Sequence, residues 1–268
     1  MTDILNILKK GVIENLVQKN KRLDDRGFDE YRPITLEKNV LDAAEGSALV
    51  HMGKTKVLAA VKFDTGTPFP DRPEEGILSM SAEFLPAASP GFEPGPPGKD
   101  AIELARVVDR GIRAANIIDL NSFFIEEGKV LAMFVDIYVL DHHGNLIDAS
   151  ALAAMGAILS AKIPKIEDGS LVWGEYDRKL DVKGVVTTTT FYKIKDKILI
   201  DPNLDEETGA SARLSVSMLS GPRLEDQEYH LCALQKGLSG AFRPAEIDYV
   251  LEAAQEKSKY LKTLLLKE

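Results

Sequence analysis

The sequence has a single cysteine, Cys232, among its 268 residues. One thiol excludes an internal disulfide framework and any metal site built from several cysteines. No apolar run reaches the roughly 20 residues that a helix needs to cross a bilayer. The N-terminal segment carries charges early, which is not the pattern of a signal peptide. We therefore expect a cytoplasmic protein that does not enter a membrane.

Positive charge is also in deficit. The chain has 33 lysines and arginines against 42 acidic residues, a formal net charge of −9 and a pI of about 5.1. A free-standing nucleic-acid binder usually presents a basic face. Any contact with a nucleic acid would therefore have to come from a local group of arginines. Hydrophobic residues make up 44 % of the chain, enough for a sizeable core.

Hydrophobic periodicity predicts strands, a helix, a strand and a helix, then a linker, then strands and two helices, which is an α+β or mixed α/β organisation in two lobes. Predicted strands include 55–63, 78–85, 130–140, 182–192, 197–201 and 212–218, and predicted helices are 3–18, 100–117, 148–163, 224–238 and 244–266. We expect a surface loop at 19–32, a hairpin turn at 141–145 and a linker at 165–178.

Proline and glycine provide further boundaries. Eight of the 13 prolines lie between residues 67 and 99, which predicts ordered loops around a short strand, because proline disfavours helices and central strands. Asp100 is the expected cap of the second long helix, Pro164 the expected end of the third, and Pro244 the expected first turn of the last.

Three arginines stand out in the helix predicted after residue 100. Arg106, Arg110 and Arg113 fall on one narrow stripe at about 100° per residue, opposite the apolar positions. Guanidinium groups in such a row bind successive phosphates. The alternative is an ordinary solvated face in which Glu103 and Asp109 pair with the arginines, and spacing alone favours that alternative.

The segment 201–207 holds four acidic residues after a predicted strand. Such a group can hold Mg²⁺ or supply a general acid, but a polar loop has the same composition. Cys232 has apolar neighbours and is expected to be a small buried hydrophobe. The adjacent His142 and His143 point in different directions, which makes a metal site improbable.

Several segments together resemble the RNase PH family. They lie at 22–27, followed by Arg32, and at 46–61, 101–110 and 136–150, and they read RLDDRG, GSALVHMGKTKVLAAV, AIELARVVDR and DIYVLDHHGNLIDAS. The combination is most similar to the inactive RNase PH-like subunits of archaeal exosomes.

The resemblance implies an α+β, RNase PH-like fold with two related βαβα-type lobes and mixed sheets packed with helices. It implies an N-terminal helix and arm at 1–30, a first lobe at 31–165, a linker and strands at 166–190, and a second lobe with C-terminal helices at 191–268. It further implies a hexameric ring, a trimer of heterodimers in which this chain alternates with a catalytic sister subunit and joins RNA-binding cap proteins. Such a ring degrades RNA from the 3′ end with phosphate as the nucleophile.

The departures from the family define the expected role. Active members carry two acids after a strand, and alignment on Asp201 places Glu207 at the first position and Arg213 at the second. A guanidinium cannot replace a carboxylate, because it stays protonated. The phosphate-binding arginine of active members is replaced by Ile147. We therefore expect no catalytic residue, no metal and no cofactor in this chain.

The arginine stripe is retained. The resemblance implies that Arg106 and Arg110 contact RNA across a subunit interface, with Arg113 a weaker third candidate. The predicted function is a non-catalytic subunit that orders the sister's active site and helps bind RNA. Two alternatives stay open: an active homohexameric nuclease that uses Asp201, Asp205 or Glu207 in place of the lost acids, and a purely architectural ring member.

Overall fold

The computed structural model describes residues 2–167 and 169–267, with side chains from residue 9 onward. These residues form five α-helices and twelve strands. The helices are α1 (Thr2–Gln18), α2 (Lys99–Ala114), α3 (Leu146–Ser160), α4 (Leu204–Gly209) and α5 (Pro244–Leu266). The strands are β1 (Ile34–Lys38), β2 (Gly46–Met52), β3 (Thr55–Gly66), β4 (Ile77–Phe84), β5 (Phe124–Glu126), β6 (Lys129–Asp141), β7 (Lys162–Glu167), β8 (Ser170–Lys179), β9 (Val185–Ile194), β10 (Lys197–Ile200), β11 (Ala212–Ser220) and β12 (Tyr229–Gly237).

The first sheet is mixed and six-stranded, in the order β1-β2-β3-β6-β4, with β5 paired to β6. Only β4 runs parallel to its neighbour, because the chain crosses from β4 through α2 before it returns as β6. The strands predicted at 55–63 and 130–140 are β3 and β6, and their valines, alanines and Phe63 lie in the core.

Helix α3 lies between the two sheets, in contact with β2 and β3 on one side and β9 on the other. An alanine-rich sequence suits this position, because small side chains allow close approach from every direction. A Cβ added to Gly46 of β2 would lie 2.4 Å from the carbonyl oxygen of Ala157. Glycine at this one position therefore permits the close packing of β2 on α3.

The second sheet is antiparallel and four-stranded, in the order β10-β9-β11-β12. Helix α5 covers β9 and β11, while α2 extends from the first sheet to contact β12. This places α2 across the boundary between the two lobes. The expected mixed α+β fold of packed sheets and helices is confirmed.

Three expectations of local structure are wrong. Residues 224–238 are not a helix, because 229–237 form the edge strand β12. The expected linker at 165–178 is a two-stranded hairpin of β7 and β8. Pro164 does not end α3, which stops at Ser160; it lies in β7 at a register shift, where a missing N–H is tolerated.

Two further turns differ from expectation. Gly98, not Asp100, is the N-cap of α2, and no side chain caps that helix; Asp100 lies in its first turn. Residues 141–145 join a strand to a helix and do not form a hairpin, with Gly144 at φ +93° and Asn145 at φ 55°. Among the described residues, no helix combines the length and apolar character that a membrane span requires.

Candidate nucleic-acid interface

The outer face of α2 carries the three arginines that the sequence singled out. Arg106, Arg110 and Arg113 are all exposed. The opposite face of α2 is buried against the sheets and α3 through Ala101, Leu104, Ala105, Val107, Val108, Gly111 and Ile112. The amphipathic spacing thus aligns the guanidinium groups in one row on the surface.

The three arginines differ in their intramolecular partners. Arg113 donates to both carboxylate oxygens of Asp109, at 3.1 and 2.7 Å, and to the carbonyl of Leu78 at 2.9 Å. Arg110 donates to the side chain of Gln235 on β12. Arg106 has no hydrogen bond or ion pair within the described part of the chain. The intrahelical pairing that a solvated face predicts therefore occurs at Arg113 alone.

A cleft of about 260 Å³ lies beside the N-terminal ends of α2 and α3. Its walls include Ile147 on α3, Tyr192 on β9, Glu207 on α4 and Arg213 on β11. Ile147 and Arg213, which lie far apart in sequence, thus line the same cleft. The aliphatic chain of Ile147 offers no hydrogen-bond donor to an anion.

Within this cleft, Arg213 is paired with an acid of the chain itself. Its guanidinium forms an ion pair with Glu103 on α2. Glu207 instead accepts hydrogen bonds from the backbone N–H of Asn145 at 2.8 Å and from the Tyr192 hydroxyl at 3.1 Å. Burial raises the pKa of Glu207 above its ordinary value. Glu207 belongs to α4, but its carboxylate lies beside the N-terminal end of α3, where the helix dipole favours a negative charge.

Asp201 is completely buried and holds the N-terminal arm. Arg32 donates to both of its carboxylate oxygens, at 2.9 and 2.7 Å, and Arg26 donates at 3.0 Å. Burial favours the neutral acid, but the hydrogen bonds and charge of Arg32 keep the pKa of Asp201 below its ordinary value. These contacts make Asp201 a structural anchor.

The remaining acids of the 201–207 segment are also paired. Glu206 forms two hydrogen bonds with the buried Arg22, at 3.0 and 2.7 Å, and Asp205 pairs at the surface with Lys9 at 2.7 Å. The arm at 19–32, expected to be a surface loop, thus buries Arg22 and Arg32. The described residues contain no group of three or more His, Cys, Asp or Glu side chains placed to hold a metal ion.

Asp148 is a buried acid that the sequence analysis did not single out. One of its oxygens accepts hydrogen bonds from Tyr31 at 3.2 Å, Asn145 at 3.1 Å and the backbone N–H of Thr190 at 3.1 Å. Burial raises the pKa of Asp148 to about 6. An acidic residue within an otherwise apolar, alanine-rich helix is the sequence signal that points to it.

Two family models match the chain. Domain 1 of the 3′ exoribonuclease family, RNase PH, matches residues 30–164, and domain 2 matches residues 184–257. The chain belongs to the RNase PH family. The exosome component Rrp42 of Thermococcus gammatolerans, an RNase PH relative, is 43 % identical over 98 % of this chain and 96 % of its own length.

Solved RNase PH structures agree in fold. An exosome chain from Archaeoglobus fulgidus, solved with RNA bound to the active site, has a TM-score of 0.87 and 38 % identity, and covers 97 % of this chain and 98 % of its own. A chain of an archaeal exosome core has a TM-score of 0.86 and 36 % identity, with 99 % of both chains covered. The expectation of an RNase PH-like subunit of archaeal exosome type is confirmed.

Proposed function

We propose that this chain is the non-catalytic, Rrp42-type subunit of an archaeal RNA exosome. Relatives that match nearly the full length of the chain are named exosome complex component Rrp42. The observation that carries the proposal is the cleft lined by Ile147 and Arg213. It presents a hydrocarbon and a paired cation at two positions where the family's chemistry requires an anion-binding arginine and an acid.

The acids that remain do not supply a substitute. Asp201 and Glu206 are buried in ion pairs with arginines of the N-terminal arm, and Asp205 lies at the surface beside Lys9. Of the four acids at 201–207, Glu207 alone lines the cleft, and its carboxylate already accepts two hydrogen bonds from the protein. The alternative of an active homohexameric nuclease is therefore not favoured.

The proposed role is to complete the active site of a catalytic sister subunit. In this proposal the two chains alternate in a cytoplasmic hexameric ring, a trimer of heterodimers that carries RNA-binding cap proteins and degrades RNA from its 3′ end with phosphate. Arg106 and Arg110 of this chain contact the RNA backbone, which supplies affinity without sequence information. Arg113 contributes less, because Asp109 and the Leu78 carbonyl already hold it.

Activity of the purified chains tests the proposal. The lone chain is incubated with a poly(A) substrate and phosphate, and the same assay is run on the sister subunit and on the assembled complex. We expect release of nucleoside diphosphates only when the sister is present. Degradation by the lone chain would overturn the non-catalytic assignment and restore the homohexameric alternative.

Crosslinking separates an RNA-binding subunit from a purely architectural one. A photoreactive RNA bound to the assembled complex is expected to form adducts with the 101–113 segment of α2. Adducts confined to the sister subunit and the caps would favour the architectural role.

A further inference from the structure

The outer face of α2 is attached to the second sheet at two points. Glu103 pairs with Arg213 at the start of β11, and Arg110 bonds to Gln235 on the neighbouring strand β12. Arg106 lies between them, three residues after Glu103 and four before Arg110, on the same side of the helix. The only one of the three arginines without a partner in the described residues is therefore bracketed by two tethers to one sheet.

The guanidinium of Arg213 lies directly over Gly237, where no side chain is present. In the β11–β12 register it is opposite Gly237. A Cβ at Gly237 would lie 2.7 Å from Nη2 of Arg213 and 2.8 Å from its Nε. The guanidinium thus lies in the volume that a side chain at 237 would occupy. Its side chain is only 17 % exposed, against 51 % for Glu103, so the fixed partner of this pair is the arginine.

We propose that Arg213 is a positioning residue for the RNA-binding face: from its place against Gly237 it holds Glu103, and through Glu103 it fixes the N-terminal half of α2 and the direction in which Arg106 is presented. The inference rests on the proposed function of α2 as an RNA contact. Arg213 stands where active family members carry an acid, and the inference assigns it a positioning role in RNA binding.

A substitution without a change of charge provides the test. Gly237→Ala is expected to displace the Arg213 guanidinium, because the obstructing atoms belong to the far end of a flexible side chain. The affinity of the assembled complex for a fluorescent oligoadenylate is measured by anisotropy. We expect Gly237→Ala and Arg213→Ala each to weaken binding by roughly threefold, the size that a partly screened ion pair supplies.

The double variant Gly237→Ala/Arg213→Ala tests whether alanine at position 237 affects RNA binding through Arg213. If alanine at 237 acts only through Arg213, the double variant binds RNA as Arg213→Ala does. Additive losses, or wild-type affinity in Gly237→Ala, would overturn the inference. Gly11→Ala, where an added Cβ meets nothing within 4 Å, is the matched control. Thermal unfolding of each variant separates lost positioning from lost folding.

Arg106→Ala separates the positioning role of Arg213 from the proposed RNA contact of α2. If Arg106→Ala weakens RNA binding while Gly237→Ala does not, the positioning role fails and the proposed function stands. If Arg106→Ala leaves affinity unchanged, the RNA contact itself fails, and the positioning role fails with it.

Discussion

Asp205 and Glu206 are neighbours in sequence that make opposite kinds of ion pair. Glu206 and Arg22 are 1 % and 0 % exposed, whereas Asp205 and Lys9 are 44 % and 53 % exposed. Water screens the outer pair, which is worth less than about 1 kcal/mol. The inner pair joins the N-terminal arm to α4, and the loss of either partner leaves a buried charge uncompensated.

We expect Glu206→Gln to lower the free energy of unfolding by about 3–5 kcal/mol. Urea denaturation followed by circular dichroism measures the effect. Asp205→Asn, the same change one residue earlier, is the matched control and is expected to change stability by less than about 1 kcal/mol. Equal effects of the two substitutions would contradict the structural role of the Arg22–Glu206 pair.

Asp148 makes stability depend on pH. Burial raises its pKa from the ordinary 3.8 to about 6. Because the folded pKa lies above the unfolded one, ionisation opposes folding. The stability that depends on Asp148 is complete below about pH 4, where the carboxyl is protonated in both the folded and the unfolded state. It is lost as the pH rises through about 6, and the free energy of unfolding falls by about 3 kcal/mol.

The variant Asp148→Asn is expected to reduce the fall in unfolding free energy between pH 4 and pH 7, because an amide does not ionise. Denaturation curves at several pH values across this window measure it. The exposed Asp42→Asn serves as control and should leave the wild-type pH profile unchanged. An unaltered profile in Asp148→Asn would assign the pH dependence to other groups.

At the scale of elements, α2 and α5 were predictable and β12 was not. The amphipathic pattern of α2 and the proline at the start of α5 are local signals, and α5 begins and ends at the residues expected. The segment 229–237 contains leucine, alanine, glutamine and lysine, which are good helix formers. Pairing with β11 overrides that propensity, and it leaves Leu231 and Leu234 exposed on an edge strand.

The packing of β2 on α3 gives a prediction about whole elements. Gly46→Ala places a Cβ 2.4 Å from the Ala157 carbonyl oxygen and 2.7 Å from Cα of Ala161. The backbone atoms of Ala157 and Ala161 cannot move aside as the end of a flexible side chain can. We therefore expect the free energy of unfolding to fall by about 1–3 kcal/mol or more. Calorimetry should show a lower Tm for Gly46→Ala and no decrease for Gly11→Ala. An unchanged Tm in Gly46→Ala would show that the sheet and helix can separate without cost.

At the scale of the molecule, a chain with a net charge of −9 needs a local basic face to bind RNA, and the arginine row of α2 is the proposed one. Binding through this face depends on counterion release from each contacted phosphate. We expect Arg106→Glu with Arg110→Glu to weaken RNA binding by the assembled complex. We also expect the slope of log K against log salt to become shallower by about 1.4, or about 0.7 for each lost contact with a single strand.

Anisotropy titrations from low to physiological salt measure that slope. Arg178→Glu with Lys179→Glu, an equal change of charge on the β8 hairpin, is the control for long-range repulsion. Identical losses in the two double variants would show that net charge, and not the α2 face, governs RNA binding.

The family, the fold class, the arginine stripe and the departures at Ile147 and Arg213 were all readable from the sequence, since each depends on motifs whose residues lie close together along the chain. The partners of those residues were not. Arg213 meets Glu103 across 110 positions, and Arg22 meets Glu206 across 184. Such pairs depend on the path of the whole backbone, which decides that Asp201 and Glu206 are anchors and that the arginine at 213 reaches α2.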